Sequence, residues 1–494
     1  MSKFFVMAFM LLKFPKEIDK TLIIFIIISI TGFSIRLYNL AQNPLDFDES
    51  IHAYISFLLF KYDIYTYEPT THGPFLYYIT AAIFHVLGDK ILSARLMPAI
   101  FGGAMVLLFL PLRRHLGNIK FLLISCMIAF SYSFITYSRL LRHDIFLAFF
   151  ILAFIVYIIL FFELHSIKYL YLGFAFLAIT MAIKPTIYIF IFIMVYFVIL
   201  NKNILYKMFE ILKRQKIKLY YIIISAAFIF IAINYLFYNS MTDGFYKAFS
   251  SWITIYASDP NRKESLFPPF YFYISHLLKF EFLVFVTGFI GGLYYIFSKN
   301  KNYFILFCSF WALTSLLIFS MMSYKTPELT LNILLPFIII SGFFLGDIIE
   351  RMFFKNRMIF ILIIILLLIF SVFINYPLSY NTNNEYEEIS QFIKTIKGDQ
   401  NEIYFLSYLG NFYTIQWPLP WYLREYNLLQ SDNKSNAIEL NYLFDPKYSD
   451  NAKDFVHPFR TRGIIIASAY ITSMEKFGYK NIKHFEGSGI YIYY

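Results

Sequence analysis

Two cysteines in 494 residues, Cys126 and Cys308, both inside apolar runs, leave no disulfide framework and no thiol metal site. Charge is also scarce: Asp, Glu, Lys and Arg make up 15% of the chain. The long apolar runs lack strand-like alternation and are continuous blocks of Ile, Leu and Phe, which excludes a membrane β-barrel and leaves helices. No internal repeat or low-complexity linker interrupts them. The middles of these runs are nearly free of charge, whereas a transporter of a charged solute places ionisable groups at mid-membrane on broken helices. No small-residue cleavage site follows the first apolar residues, which are broken by Lys3 and followed by Lys13, Lys16 and Lys20; an uncleaved anchor is expected, not a signal peptide.

What the chain has in abundance is lipid-compatible surface: 59% hydrophobic residues, 22% aromatic, mean hydropathy +0.61. Apolar runs divided by charged breaks predict about eleven transmembrane helices. They run approximately over 21–35, 91–112, 121–137, 145–162, 169–183, 187–200, 220–238, 282–297, 303–321, 329–345 and 358–374. Lysine and arginine collect in alternate breaks, at Arg113, Arg114 and Lys120, at Lys202 to Lys218, at Lys299 and Lys301, and at Arg351 to Arg357. By the positive-inside rule that side and the N-terminus are cytoplasmic, which makes a multi-pass cell-membrane protein with its C-terminal segment outside the cytoplasm. The net charge of +11 sits on membrane-facing loops, so it points to anionic headgroups and not to nucleic acid.

Composition divides the chain into a transmembrane domain, 1–375, and a soluble tail, 376–494, richer in Asn, Asp, Glu and Lys. In the tail a helical pattern at 386–396, short apolar strands at 403–405, 463–468 and 490–494, and a helix near 471–477 predict a small extracytoplasmic α/β domain.

The candidate chemistry lies at the outer ends of the predicted spans. Asp46-Phe47-Asp48-Glu49 brings three carboxylates together just after the first span, and acids so placed suggest a reaction centre. Ile51, Tyr54, Ile55, Leu58 and Leu59 then follow helical spacing and predict an amphipathic helix in the interface, capped by Asp48 or Ser50. A plain cap is the alternative role for Asp48. His72-Gly73-Pro74 opens a second interfacial helix whose early N–H groups attract anions, with His72 as an anion contact or an ordinary interfacial hydrogen-bonder. Arg139 and Arg142, on one face if their stretch is helical, can fork onto phosphate oxygens or merely snorkel; Asp144 follows them. Lys184-Pro185 and Tyr324-Lys325-Thr326-Pro327 pair a cation with a proline that stops a helix and frees backbone groups to line a pocket.

Taken in this order and on this side, Asp48-Glu49, His72-Gly73-Pro74, Ser93-Ala94-Arg95-Leu96-Met97-Pro98 and Arg142-His143-Asp144 resemble the polytopic glycosyltransferases of the GT-C superfamily. That superfamily includes the protein O-mannosyltransferases and the lipid A aminoarabinose transferase. Tyr324-Lys325-Thr326-Pro327 and Trp417-Pro418-Leu419-Pro420-Trp421-Tyr422-Leu423-Arg424 resemble most closely the archaeal and bacterial flippase-activity-associated proteins.

The resemblance implies a polyprenyl-phosphate-linked sugar as donor and a first-loop acid, here Asp48, acting on a glycan, lipid or protein acceptor. Arg139, Arg142, Lys325, His72 and Lys184, with Tyr324 beside them, are the expected phosphate-binding residues. Glu49 and Asp144 would orient Asp48, or would join it in holding magnesium or manganese; the alternative is no cofactor. Tyr54, Trp417, Trp421 and Tyr422 are candidate acceptor or sugar contacts, with core packing expected for at least one of the tail aromatics. Two other functions fit the same residues: a non-catalytic partner that binds or helps translocate lipid-linked sugars, and a structural receptor whose tail binds saccharide.

Overall fold

The computed structural model describes residues 19–67, 72–238, 250, 268–299, 302–322, 325–352, 359–361 and 363–369, then 385–396, 402–406, 419–422, 427–429, 463–467, 482–485 and 490–493. In chain order the helices begin with α1 (Lys20–Leu37), α2 (Phe47–Tyr62), α3 (Phe75–Leu87), α4 (Ile91–Leu107), α5 (Asn118–Phe130) and α6 (Tyr132–Ser138). They continue with α7 (His143–Leu164), α8 (Ile167–Met181), α9 (Ile187–Leu200), α10 (Asn203–Arg214) and α11 (Leu219–Tyr238). After these come α12 (Phe272–Phe280), α13 (Phe282–Phe297), α14 (Tyr303–Met321), α15 (Thr330–Arg351) and α16 (Glu385–Ile396). Strands β1 (Glu402–Leu406), β2 (Asn427–Leu429), β3 (Gly463–Ala467), β4 (Ile482–Phe485) and β5 (Ile490–Tyr493) complete the described chain.

Contacts divide the chain into two compact units. The first comprises Met1–Leu40, Thr66–Leu76 and Arg95–Pro377; the second comprises Ala41–Tyr65, Tyr77–Ala94 and Leu378–Tyr494.

The first unit holds the membrane helices. Among the described residues six helices are long and apolar enough to cross a bilayer, and up to nine if each bent pair counts as one span. On that criterion the described residues supply up to nine of the eleven expected spans. A helix occupies every expected run, but α8 has 15 residues, about 22 Å at 1.5 Å per residue, and falls short of a hydrocarbon core about 30 Å thick. Of the last expected run only 359–361 and 363–369 are described, and these are helical. The bent pairs are α5 with α6 (51°), α9 with α10 (87°) and α12 with α13 (120°).

Local sequence explains the ends. Asp19 accepts from Thr21 N and Leu22 N to start α1, and the same carboxylate takes the Arg113 guanidinium. Gly117, at φ +76°, separates the short 113–116 turn from α5. Along α1 the buried residues are Phe25, Ser29, Gly32 and Arg36, while Ile23, Ile26, Ile27 and Ile30 face outward, as a helix facing lipid on one side requires. α15 is the centre of the unit: it is buried along most of its length among α5, α13 and α14. A Cβ at Gly342 would stand 2.3 Å from the Ile124 side chain, so α5 and α15 approach as closely as small residues allow.

In the second unit the five strands form one sheet in the order β2-β1-β3-β5-β4. β1 runs parallel to β2 and β3, whereas β5 is antiparallel to β3 and β4. Helix α16 and strands β1, β3 and β5 fall at the predicted positions; β2 and β4 are additions, and the helix expected near 471–477 lies outside the described residues. Tyr422 ties the tail to the first loop of the same unit: its hydroxyl accepts from Leu45 N at 3.1 Å, and its carbonyl accepts from Ser390 Oγ at 3.0 Å.

Candidate active site

In the first unit three chain segments meet. Pro185 prevents α8 from continuing, and the backbone at 182–183 turns to pair with the stretch before α3: Gly73 N donates to Ile183 O at 2.9 Å and Phe75 N to Ala182 O at 3.0 Å. Gly73 is required there, since a Cβ would sit 2.2 Å from the Ala182 carbonyl oxygen. His72 takes a left-handed conformation, φ +68°, to enter this pairing.

The third segment is the start of α7. Arg142 is its N-cap in extended conformation, and Asp144 lies in the first turn, where the helix dipole favours a carboxylate. His143 Nε2 lies 3.1 Å from Gly73 O, and the His143 and His72 rings stand edge to face at 5.2 Å. Lys184 is buried and its Nζ donates to both oxygens of Asp144, at 2.8 and 3.0 Å. His72, Arg142, His143, Asp144 and Lys184 thus form one cluster. Within it Lys184 and Asp144 pair with each other, and Arg142 adds a further cation.

Arg139 and Arg142 do not share a helix face, as a continuous helix would require. α6 ends at Ser138 and Arg139 caps it, whereas Arg142 begins α7. The Arg139 guanidinium donates to the carbonyls of Ile35, Arg36, Tyr38 and Asn39, which are left without helical donors where α1 ends. Arg36, wholly buried, donates to the carbonyls of Gly32, Ile128 and Ala129, and Arg95 donates to Leu40 O. Lys325 donates to the carbonyls of Met322 at 2.6 Å and Pro268 at 3.1 Å. Desolvation holds its ammonium pKa below the ordinary lysine value. Tyr324 lies outside the described residues.

In the second unit, helix α2 resolves the roles of its three acids. Asp46 is the N-cap and accepts from Glu49 N at 2.8 Å, while Glu49 accepts from Asp46 N at 3.1 Å. This capping box replaces the expected cap at Asp48 or Ser50. It engages Asp46 and the wholly buried Glu49, whereas Asp48 is half-exposed in the first turn and is no member of the box.

α2 also buries its more polar stripe. Glu49, Ser50, His52, Ala53, Ser56 and Phe57 are inside, and Ile51, Tyr54, Ile55, Leu58 and Leu59 are only half-buried. An interfacial helix with its apolar stripe toward lipid and its polar stripe toward protein has this pattern.

Sequence reasoning missed two residues, His52 in this unit and His143 in the first. His52 Nδ1 lies 3.0 Å from the hydroxyl of the buried Tyr77, and His52 stands four residues after Asp48, on the same helix face. That spacing was the available signal; for His143 it was the residue's place between Arg142 and Asp144. In the tail, Trp421 is buried and its ring stacks on Phe84 at 5.9 Å, so it is an aromatic that packs in a core; Trp417 lies outside the described residues. Among the described residues, no three His, Cys, Asp or Glu side chains are grouped so as to hold a metal ion.

Residues 71–233 match the family described as dolichyl-phosphate-mannose-protein mannosyltransferase. Two sets of solved structures share the fold. Cupriavidus metallidurans ArnT bound to undecaprenyl phosphate is 12% identical, with TM-score 0.62, over 96% of this chain and 97% of that one. The chain shares the fold of these structures. The apo oligosaccharyltransferase of Archaeoglobus fulgidus is 13% identical, with TM-score 0.62, over 90% of this chain and 69% of that one. Archaeoglobus fulgidus oligosaccharyltransferase AglB in complex with an inhibitory peptide and a dolichol-phosphate gives TM-score 0.59 at 12% identity, over 90% of this chain and 69% of that one. No curated protein matches the chain by sequence. The shared fold and the long apolar helices make this a multi-pass membrane protein, and the family match encloses the whole His72–Arg142–His143–Asp144–Lys184 cluster but neither Asp48 nor Lys325.

Proposed function

We propose that this protein transfers a sugar from a polyprenyl-phosphate carrier to an acceptor hydroxyl at the extracytoplasmic face, with inversion at the anomeric carbon. The observation that carries the reading is the cluster of His72, Arg142, His143, Asp144 and Lys184, built inside the stretch that matches a family of polyprenyl-phosphate-sugar mannosyltransferases. ArnT and AglB, with the same fold, have been captured with undecaprenyl phosphate and a dolichol-phosphate respectively.

In this reading Arg142 and Lys325 attract the donor phosphate. Charge near lipid is costly, and a guanidinium with two forked N–H groups is the side chain best shaped to offset it. Asp48 accepts the proton as the acceptor oxygen bonds to the anomeric carbon. The bond from that carbon to the phosphate oxygen breaks, and the leaving phosphate keeps the electron pair, stabilised by the cations. Asp48 is assigned this role because the capping box already employs Asp46 and Glu49. The acceptor is a hydroxyl of a glycan, lipid or protein, with Tyr54 and Tyr422 as candidate contacts.

The test is turnover of a radiolabelled polyprenyl-phosphate sugar by purified protein. Asp48→Asn is expected to lower the rate by about a hundredfold or more while leaving donor binding intact. Arg142→Ala is expected to weaken donor binding. Unchanged turnover in a folded Asp48→Asn protein removes the assignment. Donor binding without transfer in the wild type moves the reading to a non-catalytic, flippase-associated role.

A further inference from the structure

The joint between α9 and α10 carries a second surface, remote in sequence from the residues assigned to transfer. The two helices meet at 87°, so where α9 follows the membrane normal, α10 lies in the membrane plane. Its inner face is already occupied. Ile211 and Leu212 are buried in a cluster with Phe161, Leu170 and Ile222, and Met208 and Ile217 pack against it. Gln215 donates to the His165 carbonyl and so ties the end of α10 to the turn between α7 and α8. α10 is therefore fixed against the ends of neighbouring helices and presents only its other face.

The stretch is basic. Lys207, Lys213 and Arg214 on α10, and Lys202, Lys216 and Lys218 flanking it, are all exposed, against the single acid Glu210. Among the described residues none of the six enters an ion pair. Tyr206 and Phe209 are exposed between them, 65% and 42%, as apolar groups that sit among headgroups and upper acyl chains. A helix held flat, apolar side chains at its rim and uncompensated cations along one edge match the interface of an anionic leaflet in both geometry and charge.

We propose that the α9–α10 elbow is a binding site for anionic phospholipid headgroups. It selects lipids such as phosphatidylglycerol over zwitterionic ones and holds this end of the helical bundle at a set depth. The chemistry is phosphate recognition by several ammonium groups and one guanidinium, with lipid as the source because the aromatic side chains beside them need acyl chains to bury.

The test uses the full chain in nanodiscs of phosphatidylcholine with phosphatidylglycerol, and native mass spectrometry to read the lipids it retains. Wild type is expected to enrich phosphatidylglycerol. Removing two cations, in the double variant Lys213→Gln with Arg214→Gln, is expected to cut that enrichment by about twenty-fivefold, since each cation near an anionic surface contributes about fivefold. Lys90→Gln, an exposed lysine elsewhere, is expected to leave it unchanged. Equal retention of both lipids by wild type, full enrichment in the double variant, or an equal loss in Lys90→Gln each overturns the site. Displacement of phosphatidylglycerol by millimolar inorganic phosphate overturns the lipid as its ligand.

Discussion

Lys184 places its ammonium 2.8 Å from one oxygen of Asp144 and 3.0 Å from the other, with both side chains buried. A buried pair of this kind contributes little over an apolar replacement, but losing one partner strands a charge without water. Asp144→Asn or Lys184→Met alone is therefore expected to destabilise by about 3–5 kcal/mol. The double change to Asn and Met should recover much of the loss. Thermal unfolding in detergent reads this directly, and single variants as stable as wild type would mean that the pair is solvated after all.

Asp46 and Asp48, two residues apart, should separate stability from activity. Asp46→Ala removes the side-chain acceptor of the capping box and should cost about 1 kcal/mol with the first turn of α2 loosened. Asp48→Asn removes no cap, so its midpoint of unfolding should match wild type while its turnover falls. A large drop in stability for Asp48→Asn would turn that residue into a structural acid.

For Lys325 the expected outcome is a pH profile. Its pKa is lowered by desolvation, so the ammonium that would meet a donor phosphate exists below that value and is lost as pH rises through it. Donor affinity should be level near neutrality and decline on the alkaline side earlier than an ordinary lysine would dictate. Stability has the opposite trend in the same window: the unfolded chain holds more protons than the folded one, so folding strengthens as pH rises. Lys325→Arg keeps its charge and should abolish the alkaline decline in donor affinity. Persistence of that decline in the arginine variant would assign it to another group.

The helices were legible because apolar runs of span length have no other use in a chain of this kind, and a helix lies at each expected run, whereas α10 and α12 fall between runs. Their breaks were not. The run from 121 to 137 stays apolar through Ser131, and nothing at that residue resembles a proline or glycine stop. The two arginines of the Arg139 to Asp144 stretch also look equivalent in sequence. Their difference comes from carbonyls of α1 that lie about a hundred positions away in the chain, a relationship no local pattern encodes. The capping box, by contrast, was fully visible as Asp46-x-x-Glu49, and reading it first assigns two of the three acids to local structure and singles out Asp48. His52 was legible by the same helical arithmetic, but its partner Tyr77 was not, since the pair closes across two helices.

Glu281 shows how a break can be specified by a residue far from it. It stands between α12 and α13, and one of its oxygens accepts from Ser131 Oγ at 2.7 Å and from Ser133 N at 2.8 Å, where α5 gives way to α6. One buried carboxylate thus satisfies the donors exposed by another helix's kink, and the two bent pairs share a joint. Glu281→Gln retains an acceptor oxygen of the same reach and is expected to keep most of the stability. Glu281→Leu leaves the Ser131 hydroxyl and the Ser133 N–H buried with no acceptor, at about 1–3 kcal/mol for each group. Leu should therefore unfold at clearly lower temperature than Gln in the same detergent. If Leu and Gln unfold together, the α5–α6 bend is set by helix packing alone, and the carboxylate merely occupies the space beside it.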